Sequence, residues 1–390
     1  MIDLDAQHVV QTYGRAPFVL ARGAGVTLYD TEGKTYLDWV AGIAVNALGY
    51  GDPELAQVIS AQAGQLIHVS NLYYNAPQAE LAARLCELSF ADRVFFNNSG
   101  SEANETAIKF ARKWARAKGR RGKTQIVAFS NAFHGRTMGA LALTPRDKYQ
   151  KPFEPLMPDV VIAPFNDIDT AAQAIGAETC AVFVEPVQGE GGVHEAIPEF
   201  LAALRELTQR HDAALVFDEV QCGVGRTGTL WAHEFSGITP DIMTLAKPLA
   251  GGLPIGAALV TDTVASAITI GDHGSTFAGG PLVCQAALTV LNRVAQPEFL
   301  AHVREVGMYL QEGLSQLASP LIRAVRGRGL MVGLELSIPA SDVVRAGYEH
   351  GLILVNAGPD VIRFVPPLIV ETRHVDTLLE RLEVILNGES

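Results

Sequence analysis

The chain has eight lysines, and the last of them, Lys247, stands apart from the rest. Most of the others fall between Lys109 and Lys151 in a basic stretch of solvated character. Lys247 instead follows the apolar run Ile242-Met243-Thr244-Leu245-Ala246 and precedes Pro248-Leu249-Ala250-Gly251-Gly252, which reads as a short buried strand emptying into a tight loop. An ammonium at the end of an apolar strand is costly to bury, so its pKa is depressed and the free amine becomes a Schiff-base nucleophile. Pro248 biases the residue before it toward extended geometry, which predicts a side chain presented at a strand end and not along a helix. A structural lysine that snorkels its amine to water fits the same local pattern.

Three further groups have types and positions that suit chemistry beside such an amine. The segment Phe95-Phe96-Asn97-Asn98-Ser99-Gly100-Ser101-Glu102 runs from a strand through small residues into a helix whose face repeats at Ala103, Ala107, Ile108 and Ala111. Free backbone N–H groups and the dipole at that helix start suit a phosphate, although Ser99 or Ser101 capping an ordinary helix would look the same. Asp218 closes the apolar strand Ala214-Leu215-Val216-Phe217, and strand carboxyl ends are where open α/β sheets place ligands. A buried carboxylate needs a partner, and a protonated ring nitrogen would serve; a helix cap is the alternative. In Phe133-His134-Gly135-Arg136-Thr137 the aromatic can cover a flat ring and the arginine can grip a carboxylate with parallel hydrogen bonds.

Two other patterns imitate sites. Gly223-Val224-Gly225-Arg226-Thr227-Gly228 fits the dinucleotide fingerprint, but Thr229-Leu230-Trp231 does not open a clean helix and Asp241 comes too soon for the ribose acid. His134 and His233 lack a second ligand at helical spacing, which argues against a metal site.

The elements that position these groups follow from the hydrophobic pattern. Apolar strands near Arg93–Phe96, Gln125–Phe129, Val160–Ala163, Cys180–Val184, Ala213–Phe217, Ile242–Ala246 and Ile255–Val260 alternate with helical stretches. That alternation predicts an α/β fold, a mainly parallel central sheet flanked by helices, over about residues 51–295. Residues 296–390 read as a smaller α/β domain, with helices near Phe299–Leu317 and Thr372–Leu386 and strands near Gly333–Leu336 and Val361–Phe364. Residues 1–50 carry a hairpin-like stretch from Val26 to Leu37 and are expected to pack with the small domain. With 390 residues, 48% of them hydrophobic, the chain can bury a large core and a smaller companion. Thirty basic against forty-two acidic residues give a net charge of −12, which disfavours nucleic acid as a partner. An acidic N-terminus and the lack of any apolar run near the membrane-spanning length of about 20 residues predict a cytoplasmic protein without membrane association. Cys86, Cys180, Cys222 and Cys284 are too scattered for a disulfide framework or zinc knuckle.

Taken together, phosphate loop, strand-end Asp, isolated Lys and the Phe/Arg segment resemble a class III, fold type I aminotransferase, and within it the acetylornithine and ornithine aminotransferases. The resemblance runs over essentially the whole chain. It implies pyridoxal 5'-phosphate as cofactor, with Lys247 bound to it covalently, Asp218 on its ring nitrogen, Gly100 and Ser101 on its phosphate and Phe133 stacked on its ring. Asp218-Glu219-Val220-Gln221 matches the family's D-E-x-Q segment, which makes Glu219 and Val220 further cofactor-site residues and sends Gln221 to the ring hydroxyl. Gly274-Ser275-Thr276-Phe277 matches G-S-T-F, in which the threonine touches the cofactor phosphate of a neighbouring subunit and Ser275 falls at the substrate. A homodimer with shared active sites is implied.

The same resemblance implies ping-pong transfer between an N-acylated ornithine and 2-oxoglutarate. Arg136 would hold the remote α-carboxylate of the ornithine derivative, and Arg363 would take the near α-carboxylate of glutamate. Glu190 would pair with Arg363 when no carboxylate is there. A permanent structural ion pair is the alternative for those two. Ornithine aminotransferases carry a tyrosine two positions before A-V-N, whereas here Gly42-Ile43 precede Ala44-Val45-Asn46. The missing aromatic leaves room for an acyl group, so N-acetylornithine is expected over ornithine. Other acylated or carrier-linked ω-amines, 4-aminobutyrate transamination and aminomutase chemistry remain as alternatives, as does a non-catalytic nucleotide-binding module using Gly223–Gly228.

Overall fold

A computed structural model describes residues 1–388, so residues 389 and 390 of the expected C-terminal domain lie outside the described residues. Its centre is a seven-stranded sheet in the spatial order Arg93–Asn97, Gly256–Val260, Ile242–Leu245, Ala214–Asp218, Thr179–Val184, Gln125–Phe129, Val160–Ala163. Six strands run the same way, and Gly256–Val260 is antiparallel to both neighbours. Four of its strands, Thr179–Val184, Ala214–Asp218, Ile242–Leu245 and Gly256–Val260, are buried along their full length because helices cover both faces. On one face the helix Gly100–Ala117 lays Ala107, Phe110, Ala111 and Trp114 against Ala181, Phe183, Val216 and Ile242. On the other, Phe200, Leu201 and Leu204 of the helix Pro198–His211 pack with Phe129, Val182, Leu215 and Phe217. Each such large apolar side chain contributes about 1.5–3 kcal/mol when fully buried.

Beyond this layer, Ile322–Arg328, Met331–Leu336, Val361–Phe364 and Val355–Asn356 form an antiparallel sheet, backed by the helices Pro297–Gln316 and Thr372–Asn387. The N-terminal strands Leu20–Ala24, Thr27–Asp30 and Thr35–Asp38 make a meander, closed by Leu352–Ile353, which joins Thr35–Asp38 in parallel. Two strands carry no clear apolar signal in the sequence. Leu20–Ala24 is a largely exposed edge strand, and Ile322–Arg328 interleaves arginines that are satisfied across the fold: Arg326 by Glu335 and Arg328 by Glu195.

At Lys247 the local expectation needs correction. The strand stops at Leu245, and Lys247 begins a single 3-10 turn, Lys247–Ala250, instead of staying extended. Pro248 is tolerated there because a helix-start N–H has no intrahelical partner to lose. The turn then ends at Gly251 in the left-handed region, φ 60°.

Candidate active site

Asp218 and Lys247 meet because their strands are neighbours. Ala214–Asp218 pairs in parallel with Ile242–Leu245, Asp218 opposite Thr244, so Lys247 leaves the sheet beside the carboxylate. Asp218 is 3% exposed and held by three donors. Its Oδ1 accepts the Val220 N–H at 2.9 Å, and its Oδ2 accepts Asn104 Nδ2 and His134 Nδ1, both at 2.7 Å. Asn104 is itself oriented by donating to His134 O at 2.7 Å and accepting Thr244 Oγ1 at 2.8 Å. Burial works against the His134 imidazolium, but the Asp218 bond and charge outweigh it and raise its pKa. His134 is therefore a support for the strand-end carboxylate, and His233 plays the matching part for Glu219 through a 2.7 Å contact.

Lys247 is half-buried, and its Nζ makes no hydrogen bond or ion pair among the described residues. Burial pushes its ammonium below the usual lysine range; Glu190 and Asp218 oppose that shift and Arg363 adds to it. An uncommitted amine whose pKa is lowered by partial burial is what a covalent nucleophile requires.

Gly100 and Ser101 open the helix Gly100–Ala117 as expected. Ser99 caps it, its Oγ accepting the Glu102 N–H at 3.2 Å, while Glu102 accepts the Asn98 N–H at 2.8 Å. That leaves the Gly100 and Ser101 N–H groups without an acceptor among the described residues. A Cβ on Gly100 would lie 2.6 Å from Val220 Cγ1, so the helix start sits directly against the turn that follows Asp218. Ser101 Oγ accepts the Arg136 N–H at 3.3 Å and fixes the Phe133–Arg136 loop to the same helix end.

Phe133 is half-buried, and its N–H donates to Glu185 Oε2 at 3.0 Å. Arg136 is exposed, in no ion pair among the described residues, with its guanidinium 3.4 Å over the Tyr149 ring. Across the site Arg363, 1% exposed, donates from Nη1 to Glu190 Oε1 at 2.6 Å and Gln221 Oε1 at 2.9 Å. Burial disfavours the Glu190 carboxylate, but Arg363 and then Lys247 hold its pKa down to about 2. Arg146 donates to the Glu190 carbonyl and so anchors its backbone.

Two expected cofactor contacts differ in detail. Glu219 faces away from Asp218, its carboxylate accepting the Ala232 and His233 N–H groups at 2.6 and 2.8 Å, so it braces the site from behind. Gln221 spends its carbonyl on Arg363 and places Nε2 3.4 Å from Glu190. Val220 lies between the helix start and Asp218. Ser275 Oγ accepts Asn98 Nδ2 at 3.1 Å, and Ser275 and Thr276 line a surface cavity of about 740 Å³ with Asn71, Leu72, Phe95 and His273.

Residue reading missed Asn104, Tyr149 and Arg146. Asn104 had a signal: it is a polar residue in the apolar stripe Ala103, Ala107, Ile108, Ala111 of a buried helix face. Tyr149 and Arg146 had none, because only folding brings them to Arg136 and Glu190.

The glycine fingerprint is filled by protein. A Cβ on Gly225 would lie 2.4 Å from Val294 Cγ1, and one on Gly228 2.4 Å from Arg304 Cγ, so the glycines allow close packing of the C-terminal elements rather than of a pyrophosphate.

The loop at Ala41–Ala44 is strained. Ala41, Gly42, Ile43 and Ala44 all have positive φ, 52°, 65°, 68° and 61°, a left-handed turn with one glycine. Left-handed geometry costs about 1–2 kcal/mol per non-glycine residue. It is held by Asp38, whose Oδ1 accepts the Val40 and Ala41 N–H groups at 2.8 and 3.1 Å, and by Ala44 N–H donating to Val40 O at 2.8 Å.

A parallel sheet with an uncommitted lysine and a buried aspartate at adjacent strand ends, beside a helix start open to an anion, defines a pyridoxal-phosphate enzyme of the aminotransferase class. Residues 9–386 match the family Aminotransferase class-III, and the chain belongs to it. It is 56% identical to the mitochondrial acetylornithine aminotransferase of Alnus glutinosa, over 96% of this chain and 84% of that protein. It is 46% identical to the succinylornithine transaminase of Yersinia enterocolitica serotype O:8, over 96% and 93% of the two. The crystal structure of N-acetylornithine aminotransferase from Stenotrophomonas maltophilia K279a superposes with a TM-score of 0.87 at 38% identity, over 100% of this chain and 99% of that one. The residues present fit pyridoxal phosphate: two free N–H groups for the phosphate, a buried carboxylate for the ring nitrogen and a free amine for the aldehyde.

Proposed function

We propose that the protein transfers the terminal amine of N2-acetyl-L-ornithine to 2-oxoglutarate, giving N-acetyl-L-glutamate 5-semialdehyde and L-glutamate, a step of arginine biosynthesis. The observation that carries this reading is the pairing of Arg363 with Glu190 opposite an unpaired Arg136. One pocket then takes two donors. N-acetylornithine sets its remote α-carboxylate on Arg136 and leaves the Arg363–Glu190 pair closed. Glutamate puts its side-chain carboxylate on Arg136, and its α-carboxylate displaces Glu190 from Arg363.

Pyridoxal phosphate, when bound, supplies the electron sink for the electrons left when the substrate carbon loses its proton. Gly100 and Ser101 would hold the phosphate, Phe133 would cover the ring and Gln221 Nε2 would donate to the ring hydroxyl. Asp218 would keep the ring nitrogen protonated. Lys247 Nζ, as a free amine, would take the proton from the amine-bearing carbon of the substrate and deliver it to the former aldehyde carbon of the cofactor within the same half-reaction, the second half-reaction running this transfer in reverse.

The acyl preference rests on Gly42 and Ile43, which place no aromatic ring over the α-amine end of the substrate. Succinylornithine is the second reading, favoured by the likeness to a succinylornithine transaminase. The active unit is a homodimer. Leu72, 85% exposed, lines the cavity that holds Ser275 and Thr276, and its chain neighbours Tyr73 and Tyr74, like Phe277 next to Thr276, are exposed as well. Exposed apolar side chains of this kind suit a second copy of the chain. Thr276 of each subunit then reaches the cofactor phosphate of the other. We take 51–295 as the large cofactor-binding domain, with 1–50 packing on the small domain 296–390. No helix among the described residues is long and apolar enough to cross a membrane, and the four cysteines are unpaired, which supports a cytoplasmic enzyme.

The test is the visible spectrum of the holoenzyme before and after adding each donor without acceptor. Its yellow band should bleach with N-acetylornithine and glutamate and only weakly with ornithine. Bleaching by succinylornithine in preference to N-acetylornithine would select the second reading. A colourless protein that stays colourless after pyridoxal phosphate is added would refute both.

A further inference from the structure

The loop that imitates a dinucleotide fingerprint contains a fully buried arginine that the chemistry above does not use. Arg226 is 0% exposed, and its Nη1 donates to Leu330 O at 3.0 Å and Pro366 O at 2.6 Å. Its own carbonyl accepts the Leu330 N–H at 3.0 Å. These partners are the open end of one strand ladder. Met331–Leu336 and Val361–Phe364 pair antiparallel, with Val332 opposite Phe364 and Gly333 opposite Arg363. Continuing that register puts Leu330 opposite Pro366. Leu336 N–H donates to Asp360 O at 2.8 Å, whereas Ala357 N–H donates to Val361 O at 2.9 Å on the other side, so even-numbered residues of the Arg363 strand bond toward Met331–Leu336. The pair 330/366 is therefore a hydrogen-bonding position, and Pro366 has no N–H to give it. Arg226 takes over: its guanidinium serves both carbonyls, and its backbone accepts the amide of Leu330.

The glycines around it make this approach possible. Gly329, φ +56°, comes so close that a Cβ would lie 2.5 Å from Thr227 C and 2.8 Å from Arg226 O. Arg226 also belongs to the loop that begins at Asp218 and carries Gln221, one of the two acceptors of Arg363. One stretch of chain thus sets Gln221 at the site and clamps the strand that carries Arg363.

We propose that Arg226 is a positioning residue for the glutamate half-reaction: by closing the ladder end at Leu330 and Pro366 against the large domain, it fixes where Arg363 meets Glu190, Gln221 and the incoming carboxylate. This rests on the reading in which Arg363 receives the α-carboxylate of glutamate. N-acetylornithine, held by Arg136 on the large domain, does not depend on that placement. A buried guanidinium with Nε and Nη2 unpartnered is an expensive way to fill space, which suits a role in placement over one in packing.

The experiment compares holoenzymes of wild type, Arg226→Lys, Arg226→Lys/Pro366→Ala and Arg363→Lys in both half-reactions, with Tm measured alongside. Arg226→Lys should raise the KM for glutamate and 2-oxoglutarate at least tenfold while kcat/KM for N-acetylornithine changes less than threefold. Pro366→Ala in that background restores an N–H at the ladder position and should recover most of the glutamate KM. Arg226→Gln, which keeps a donor and removes the charge, serves if the lysine variant does not fold. Equal losses for both donors with a lowered Tm would make Arg226 merely structural, and no change would also overturn the proposal. If Arg363→Lys itself spares glutamate, the underlying reading of Arg363 fails separately.

Discussion

At the scale of single residues, the site separates two kinds of charge. Asp218 and Arg363 are buried and paired, whereas Lys247 and Arg136 have no charged partner among the described residues. The engaged groups stabilise one charge state, and the free ones remain available to substrate and cofactor. Lys247→Ala should keep pyridoxal phosphate bound noncovalently yet lose about 10³-fold or more in turnover, since a positioned acid–base group is worth about 10²–10⁴. Steady-state transamination near wild-type rates in that variant would contradict the assignment. Glu190 is held at about 2 by Arg363 and Lys247, so its pairing is complete above the usual carboxyl range and weakens only as pH falls toward 2. If Glu190 gates Arg363 as proposed, that gating would be set by carboxylate competition and not by pH across the working range. Glu190→Ala should change the ratio of kcat/KM for glutamate and N-acetylornithine by about tenfold, the scale of one lost charged contact. Equal losses for both donors would instead point to a permanent structural pair.

At the scale of elements, the site is where a helix start, two strand ends and a turn are forced together. Gly100 at the helix start faces Val220 of the Asp218 turn so closely that a Cβ there would lie 2.6 Å from Val220 Cγ1 and 3.0 Å from Cγ2. Gly100→Ala should cost about 1–3 kcal/mol by overpacking and weaken cofactor binding, measured by titration of the apoenzyme. Adding Val220→Ala should return most of that loss, because the clash is with the valine methyls. Glu185 links the Phe133 loop to the Gly189 turn, and burial pushes its carboxyl up to about 7, with His134 opposing. Between the ordinary carboxyl range and about 7 the unfolded chain gives up this proton while the folded protein keeps it. Stability therefore falls as pH rises through that window and levels off above it. Glu185→Gln retains an acceptor for the Phe133 N–H and should flatten this slope, with Tm gaining on wild type at pH 8 and not at pH 4. An identical slope in both proteins would remove Glu185 as its source.

The whole molecule adds what no element contains. The N-terminal strands are completed by Leu352–Ile353, and Val365 N–H donates to Trp39 O at 2.9 Å, so segments far apart in sequence pack together there. Under the proposed dimer, the exposed apolar residues Leu72, Tyr73, Tyr74 and Phe277 are the surface offered to the second copy. Leu72→Asp should shift the protein from dimer to monomer at micromolar concentration in sedimentation and lose activity in parallel, since a buried charge at an apolar interface has no partner. A monomeric variant with full activity would show that each chain carries a complete site.

Local sequence determined the strands and the chemistry at their ends. Gln125–Phe129, Val160–Ala163 and Val361–Phe364 were legible to the residue because each is a predominantly apolar run, and Asp218 and Lys247 stood out as charges at the ends of such runs. The tertiary structure decided what depends on distance: the turn at Lys247, the turning away of Glu219 to His233, the stacking of Arg136 on Tyr149 and the grip of Arg226 on Leu330 and Pro366. Hydrophobic periodicity reports which face of an element is buried, but a hydrogen bond between residues 140 apart is chosen by packing, and nothing in the local pattern of either segment encodes it.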